Sequence, residues 1–172
     1  MKSTNLVDKK CVSTEWFTPP EILAPVRKLL GDPIPLDPCT TANNPTKAAL
    51  FYTKDTDGLS KTWNSPAYVN PPYGREMYTW IEKVVKEAAK GLPLILILAA
   101  SSRWDQAKWQ YLYSPELTTF IMPWGRVKFL DSSGVKCKSP PYPSVLYAYN
   151  IDPIQVYRAF EHMATVVRQE AL

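Results

Sequence analysis

Histidine occurs once in the 172 residues, at His162. A Ser-His-Asp triad, a Cys-His pair or a multi-histidine zinc site would each have to run through that one ring, so most hydrolase chemistry is set aside. The three cysteines, Cys11, Cys39 and Cys137, are odd in number, widely spaced and without a C-x-x-C pair. That usage argues against a disulfide framework and a thiolate metal site and fits a reducing cytoplasm, with no metal expected. No apolar run approaches membrane-spanning length and Met1 to Lys10 is polar, so neither a membrane span nor a secretory signal is expected. Charge of one sign is only slightly in excess, 20 Lys and Arg against 16 Asp and Glu. A balance of +4 permits a phosphate-bearing partner without demanding one.

What is present reads as one compact α/β domain over residues 1–172, with 1–14 as a flexible N-terminus. Thr18-Pro19-Pro20-Glu21 has the form of a capping box with proline at the first helical position. The helix it opens carries Ile22, Leu23, Val26, Leu29 and Leu30 at helical spacing; Pro25 should kink or shorten it, and Gly31 and Pro33 stop it. Residues 34–38 read as a short buried strand ending in Asp37, and 40–57 as mostly loop. Ala67-Tyr68-Val69 is a second short strand. From Arg75 to Lys90 an apolar face predicts a helix with Glu82-Lys86 and Lys83-Glu87 pairs opposite.

Leu94 to Ala99 is an unbroken apolar run, as expected of a central strand covered on both faces. A helix over 103–113 follows, then strands at 118–122, 126–130 and 144–149, and a last helix carrying Tyr157, Phe160, Met163, Ala164 and Val167. This alternation predicts a doubly wound, Rossmann-like sheet, mostly parallel with an antiparallel end and reduced in size.

The chemistry-bearing segment is Asn70-Pro71-Pro72-Tyr73. It follows a strand and precedes a helix, at the carboxyl edge where doubly wound sheets bind ligands. The Asn70 side-chain oxygen and the Pro71 carbonyl are two acceptors held close together, and the Pro71-Pro72 pair restricts φ so that the loop is stiff. Tyr73 adds a flat face on which a base rotated out of a duplex can stack. Two acceptors beside a ring suit a planar amino group: they hold both N–H bonds and aim the nitrogen lone pair.

Asn-Pro-Pro-Tyr after a strand resembles the catalytic motif of amino-group methyltransferases, and the wider pattern is similar to the small phage-type DNA adenine methyltransferase family. The matching stretches are Trp16-Phe17-Thr18-Pro19-Pro20-Glu21, Leu36-Asp37-Pro38-Cys39, Asp57-Gly58-Leu59 with Trp63, Val69 to Gly74, and Gly125-Arg126-Val127-Lys128-Phe129. The resemblance implies direct transfer of a methyl group from S-adenosylmethionine to the exocyclic amino nitrogen of adenine, with Asn70, Pro71, Pro72 and Tyr73 catalytic and Tyr73 also holding the base. It also implies DNA as partner and host-cell cytoplasm if the gene is carried by a phage, while the sequence leaves monomer and dimer both open. It places Thr18, Pro19, Asp37, Pro38 and Cys39 in the S-adenosylmethionine pocket. Free N–H groups near Thr18 would suit the donor's carboxylate and Asp37 its ammonium group.

Asp57 is either a partner of the donor or of the target base, or the first residue of an ordinary Asp-Gly turn. Arg126 and Lys128, with Lys136 and Lys138 beyond, are either phosphate contacts in a DNA-contact insertion spanning 123–143 or a solvated hairpin. Cys39 is not read as the nucleophile of a cytosine carbon-five enzyme, because the Asn70 loop needs no covalent step. The chain departs from the wider methyltransferase pattern in having no Gly-rich loop after Asp37. Two rival readings are a methyltransferase of RNA or of a protein glutamine amide, and a catalytically silent nucleic-acid-binding protein.

Overall fold

A computed structural model describes residues 16–74, 76–100, 110–131, 133–136 and 142–170. The expected N-terminal arm, most of the helix expected over 103–113, and Cys11, Cys137 and Lys138 lie outside these. Among the described residues the strands are β1 (Leu36–Asp37), β2 (Leu50–Phe51), β3 (Ala67–Val69), β4 (Leu94–Ala99), β5 (Leu117–Pro123), β6 (Ser144–Tyr149) and β7 (Ala164–Arg168). They form one sheet in the order β2-β1-β3-β4-β6-β5-β7. Pairing is parallel from β2 through β4 and antiparallel from β4 through β7. The sheet is therefore mixed in equal measure rather than mostly parallel.

Period-two alternation sends side chains to both faces. Tyr68, Ile95, Ile97, Leu146 and Ala148 join one core with helix α1 (Pro20–Leu30) and helix α3 (Pro153–Phe160). Ala67, Val69, Leu94, Leu96, Leu98, Tyr147 and Tyr149 join the other with helix α2 (Met77–Ala88), Trp63 and Leu112. Burial on both sides explains why β3, β4 and β6 are continuous apolar runs. No helix among the described residues is long and apolar enough to cross a membrane.

Several elements differ from expectation. Helix α1 begins at Pro20 with Pro19 at its cap and no side-chain cap bond, because the Thr18 hydroxyl turns inward. It runs unbroken through Pro25 and ends at Gly31, whose N–H donates to the Arg27 carbonyl and whose φ of 122° suits glycine. Glu87, expected on the solvent face of α2, is buried between Lys83 at 2.7 Å and Lys90 at 2.6 Å. Residues 126–129 are not a strand: Val127 and Phe129 plug the core, and only Leu130 pairs, with Phe17 and Lys136. Ala164 and Val167, expected on a helix, lie in β7. Its Thr165-Val166-Val167 run is β-branched and pairs along β5. Tyr111–Tyr113 form a short 3-10 turn.

Candidate active site

Strand order reverses between β1 and β3, since β1 leads outward to β2 while β3 leads to β4. Both strands run parallel, with Leu36 paired to Ala67. Their carboxyl ends, where Asp37 and Asn70 sit, therefore flank the crevice in which open α/β sheets bind ligands.

Asn70 is anchored by its nitrogen. The Nδ2 group donates to the Trp16 carbonyl at 2.8 Å and to Thr18 Oγ1 at 3.2 Å. The oxygen Oδ1 is buried and has no hydrogen-bond partner among the described residues. A buried acceptor in this position is open to a hydrogen bond from an incoming donor. Pro71 is buried, whereas Pro72 and Tyr73 are exposed, with 37 % of Tyr73 reaching solvent.

Asp37 is buried. Its Oδ1 accepts from the Cys39 N–H at 3.2 Å and its Oδ2 from the Thr46 hydroxyl at 2.7 Å. Burial raises its carboxyl to about 6, with those bonds and one from Thr40 pulling the other way. It thus carries a negative charge at neutral pH at the foot of the crevice. The Asn70 main-chain N–H is directed at the Cys39 thiol, which joins the two strand-end loops. Burial, and then the Asp37 charge, push that thiol well above its ordinary range, so Cys39 is no thiolate nucleophile.

The segment Asp57-Gly58-Leu59 docks beneath these loops. A Cβ on Gly58 would come within 2.0 Å of the Pro38 carbonyl oxygen, and Trp63 Nε1 donates to the Gly58 carbonyl at 3.0 Å. Asp57 itself is exposed and makes a turn, its Oδ1 accepting from the Leu59 N–H at 3.1 Å.

A cavity of about 630 Å³ lies against Phe17, Thr18, Arg27, Lys47, Leu130 and Asp131. It reaches Thr18 but its walls include neither Asp37 nor Asn70. A second groove of about 470 Å³, on the far side of the same 18–22 segment, is walled by Trp124, Arg126, Lys128, Lys136, His162 and Glu21. Glu21 is far from any capping role and meets Lys136 at 3.5 Å. Lys128 is exposed beside buried Val127 and Phe129. Trp124 is 63 % exposed, yet its ring nitrogen is pinned to Thr165 Oγ1 at 3.1 Å.

The structure thus brings Thr18, Cys39, Asn70 and the Asp37 loop together and places Arg126 and Lys128 in a separate basic groove. Trp124 and His162 of that groove were not singled out from sequence. An exposed tryptophan next to Gly125 and two cations was the available signal for the first, whereas His162 reaches the groove only through the β5–β7 pairing. Comparison with curated proteins gives no match. The family model described as DNA N-6-adenine-methyltransferase (Dam) matches residues 5–164.

Proposed function

Because the chain belongs to the DNA N-6-adenine-methyltransferase family and so is a DNA adenine methyltransferase that uses a methyl donor, we propose that the donor is S-adenosylmethionine and that Asn70 and Pro71 hold the adenine amino group. The observation that carries this reading is the buried, unpartnered Oδ1 of Asn70. A buried acceptor at a strand-end crevice is what an incoming N–H bond requires. With the Pro71 carbonyl as second acceptor, both amino hydrogens are engaged, which draws the nitrogen lone pair out of conjugation with the ring. The excess proton then passes to solvent.

The donor supplies an activated methyl group on a sulfonium centre. Pro38 and Cys39, which follow Asp37, stand on its side of the crevice, the main chain at Thr18 serves its carboxylate, and the Asp37 charge has the sign its ammonium group needs, whereas Pro19 walls the basic groove instead. Asp57, exposed in its turn, offers its second carboxylate oxygen to the donor's hydroxyl groups. Pro72 stiffens the loop and the exposed Tyr73 ring stacks on the flipped base. The parallel strands β1, β3 and β4, buried in the sheet, support a reduced Rossmann-like methyltransferase fold occupying the whole chain as one domain. Within 123–143, Arg126 and Lys128 contact DNA phosphates while the pinned Trp124 offers a stacking surface.

Incubating DNA with labelled S-adenosylmethionine and the protein, followed by nucleoside mass analysis, tests the reading. Methylated adenine carrying the label at N6 is expected. Label on RNA, on protein glutamine or on no acceptor would overturn it.

A further inference from the structure

An asparagine amide can sit in either of two orientations of nearly the same shape, and only one offers the oxygen to a substrate. The Trp16 carbonyl has no proton to give, so the Asn70 atom 2.8 Å from it must be the nitrogen. Its second N–H reaches Thr18 Oγ1 at 3.2 Å, and this bond holds only while the Thr18 lone pair, not its proton, faces Asn70. The Tyr68 hydroxyl, 2.7 Å from Thr18 Oγ1, engages the other side of that oxygen. Tyr68 is fully buried within the sheet on β3, two residues before Asn70, and on the face covered by α1. Thr18 thus links the Tyr68 hydroxyl to the Asn70 amide by hydrogen bonds. Burial pushes its phenol well above the ordinary range, so it keeps its proton and the relay is the same at any working pH.

We propose that Tyr68 and Thr18 are positioning residues for methyl transfer: together with the Trp16 carbonyl, their hydroxyl groups hold the Asn70 amide by its nitrogen and leave its oxygen open to substrate. This rests on the assignment of Asn70 as an acceptor for the adenine amino group. A hydroxyl bond that sets an orientation acts on the rate of transfer rather than on binding, and Tyr68, buried within the sheet, reports this without touching donor or DNA. Losing one neutral hydrogen bond in the relay corresponds to a fall in kcat of roughly 5- to 10-fold.

Single-turnover methylation by Tyr68→Phe, Thr18→Val, Thr18→Ser and Asn70→Ala tests this, with donor and DNA affinities measured alongside. Tyr68→Phe should lower kcat by that factor with both affinities unchanged, Thr18→Val should lower kcat at least as much, and Thr18→Ser should restore it. Adding Tyr68→Phe to Asn70→Ala should cost nothing further, since there is no amide left to orient. Unchanged kcat in Tyr68→Phe and Thr18→Val, a loss confined to donor affinity, or full additivity in the double variant would overturn the proposal while leaving the assignment of Asn70 intact. Full activity of Asn70→Ala would remove the assignment itself and the proposal with it.

Discussion

At the ends of β1 and β3 almost every polar group is already engaged, whereas the groove between Trp124 and His162 presents exposed cations around a single pinned ring. In the crevice, Asp37 is held by the Cys39 N–H and Thr46, and the Asn70 nitrogen by Trp16 and Thr18, so among these described side-chain atoms Oδ1 is the acceptor left open. In the groove the Trp124 ring nitrogen is tied to Thr165, while Lys136 meets Glu21 only at 3.5 Å. The difference separates two tasks. Bond-making needs atoms fixed to a fraction of an ångström before substrate arrives. Holding a phosphate backbone needs charge that can adapt to its path.

The largest effect should come from the crevice. Asn70→Ala is expected to slow methyl transfer roughly 100- to 1000-fold, the loss typical of one preorganised catalytic hydrogen-bonding group, with DNA affinity in a filter-binding assay little changed. A small effect on rate would erase the contrast between the two regions.

Next come the glycines. In Gly58→Ala the new methyl would strike the Pro38 carbonyl, and stability should fall by about 2 kcal/mol or more in urea unfolding. A methyl added at Gly125 in the groove would meet nothing within 4 Å, and the position suffers only from its φ of 83°. Gly125→Ala should therefore cost about 1 kcal/mol. Equal losses would mean that the crevice is no more tightly built than the groove.

Asp37 gives a pH signature. Its carboxyl stands near 6 against an ordinary 3.8, so the protonated form is the one the fold favours. That stability is fully present below the ordinary value and is lost as pH rises through about 6. Binding an ammonium group needs the ionised form and runs the other way. Donor affinity by calorimetry should weaken as pH falls below that value, approaching roughly tenfold per pH unit. Asp37→Asn should flatten this profile and gain thermal stability at neutral pH. A profile that stays steep in the variant would place the titrating group elsewhere.

The smallest effect belongs to the groove. Lys128→Gln should lower the slope of log affinity for DNA against log salt by about 0.9, as for one released counterion, and leave the transfer rate on saturating DNA unchanged. A changed rate with an unchanged slope would move Lys128 from the groove's task to the crevice's.

How much of this is legible in the sequence follows from where each residue's partners lie. Leu94 to Ala99 and Ser144 to Tyr149 announce buried strands because both their faces are covered. Asn70 is legible because its neighbours in the chain, Pro71, Pro72 and Tyr73, are also its working partners. Thr18 reads locally as a helix cap and, by resemblance, as part of the donor pocket. Its inward turn depends on Tyr68, fifty positions away, which no local pattern reveals. The β7 strand is hidden for a similar reason. Met163 to Val167 continues an apolar helical spacing, and only the free edge of β5 draws it into the sheet. Gly58 looks like half of a turn dipeptide until Pro38 is found against it.

The central claim is that an asparagine oxygen with no partner among the described residues waits for one particular N–H bond. A crystal structure of the protein with a duplex and an unreactive analogue of S-adenosylmethionine tests it most directly. The flipped adenine's amino nitrogen should lie about 3 Å from both Asn70 Oδ1 and the Pro71 carbonyl oxygen. An adenine bound productively with that oxygen facing elsewhere, or bonded to a protein group instead, would contradict the account.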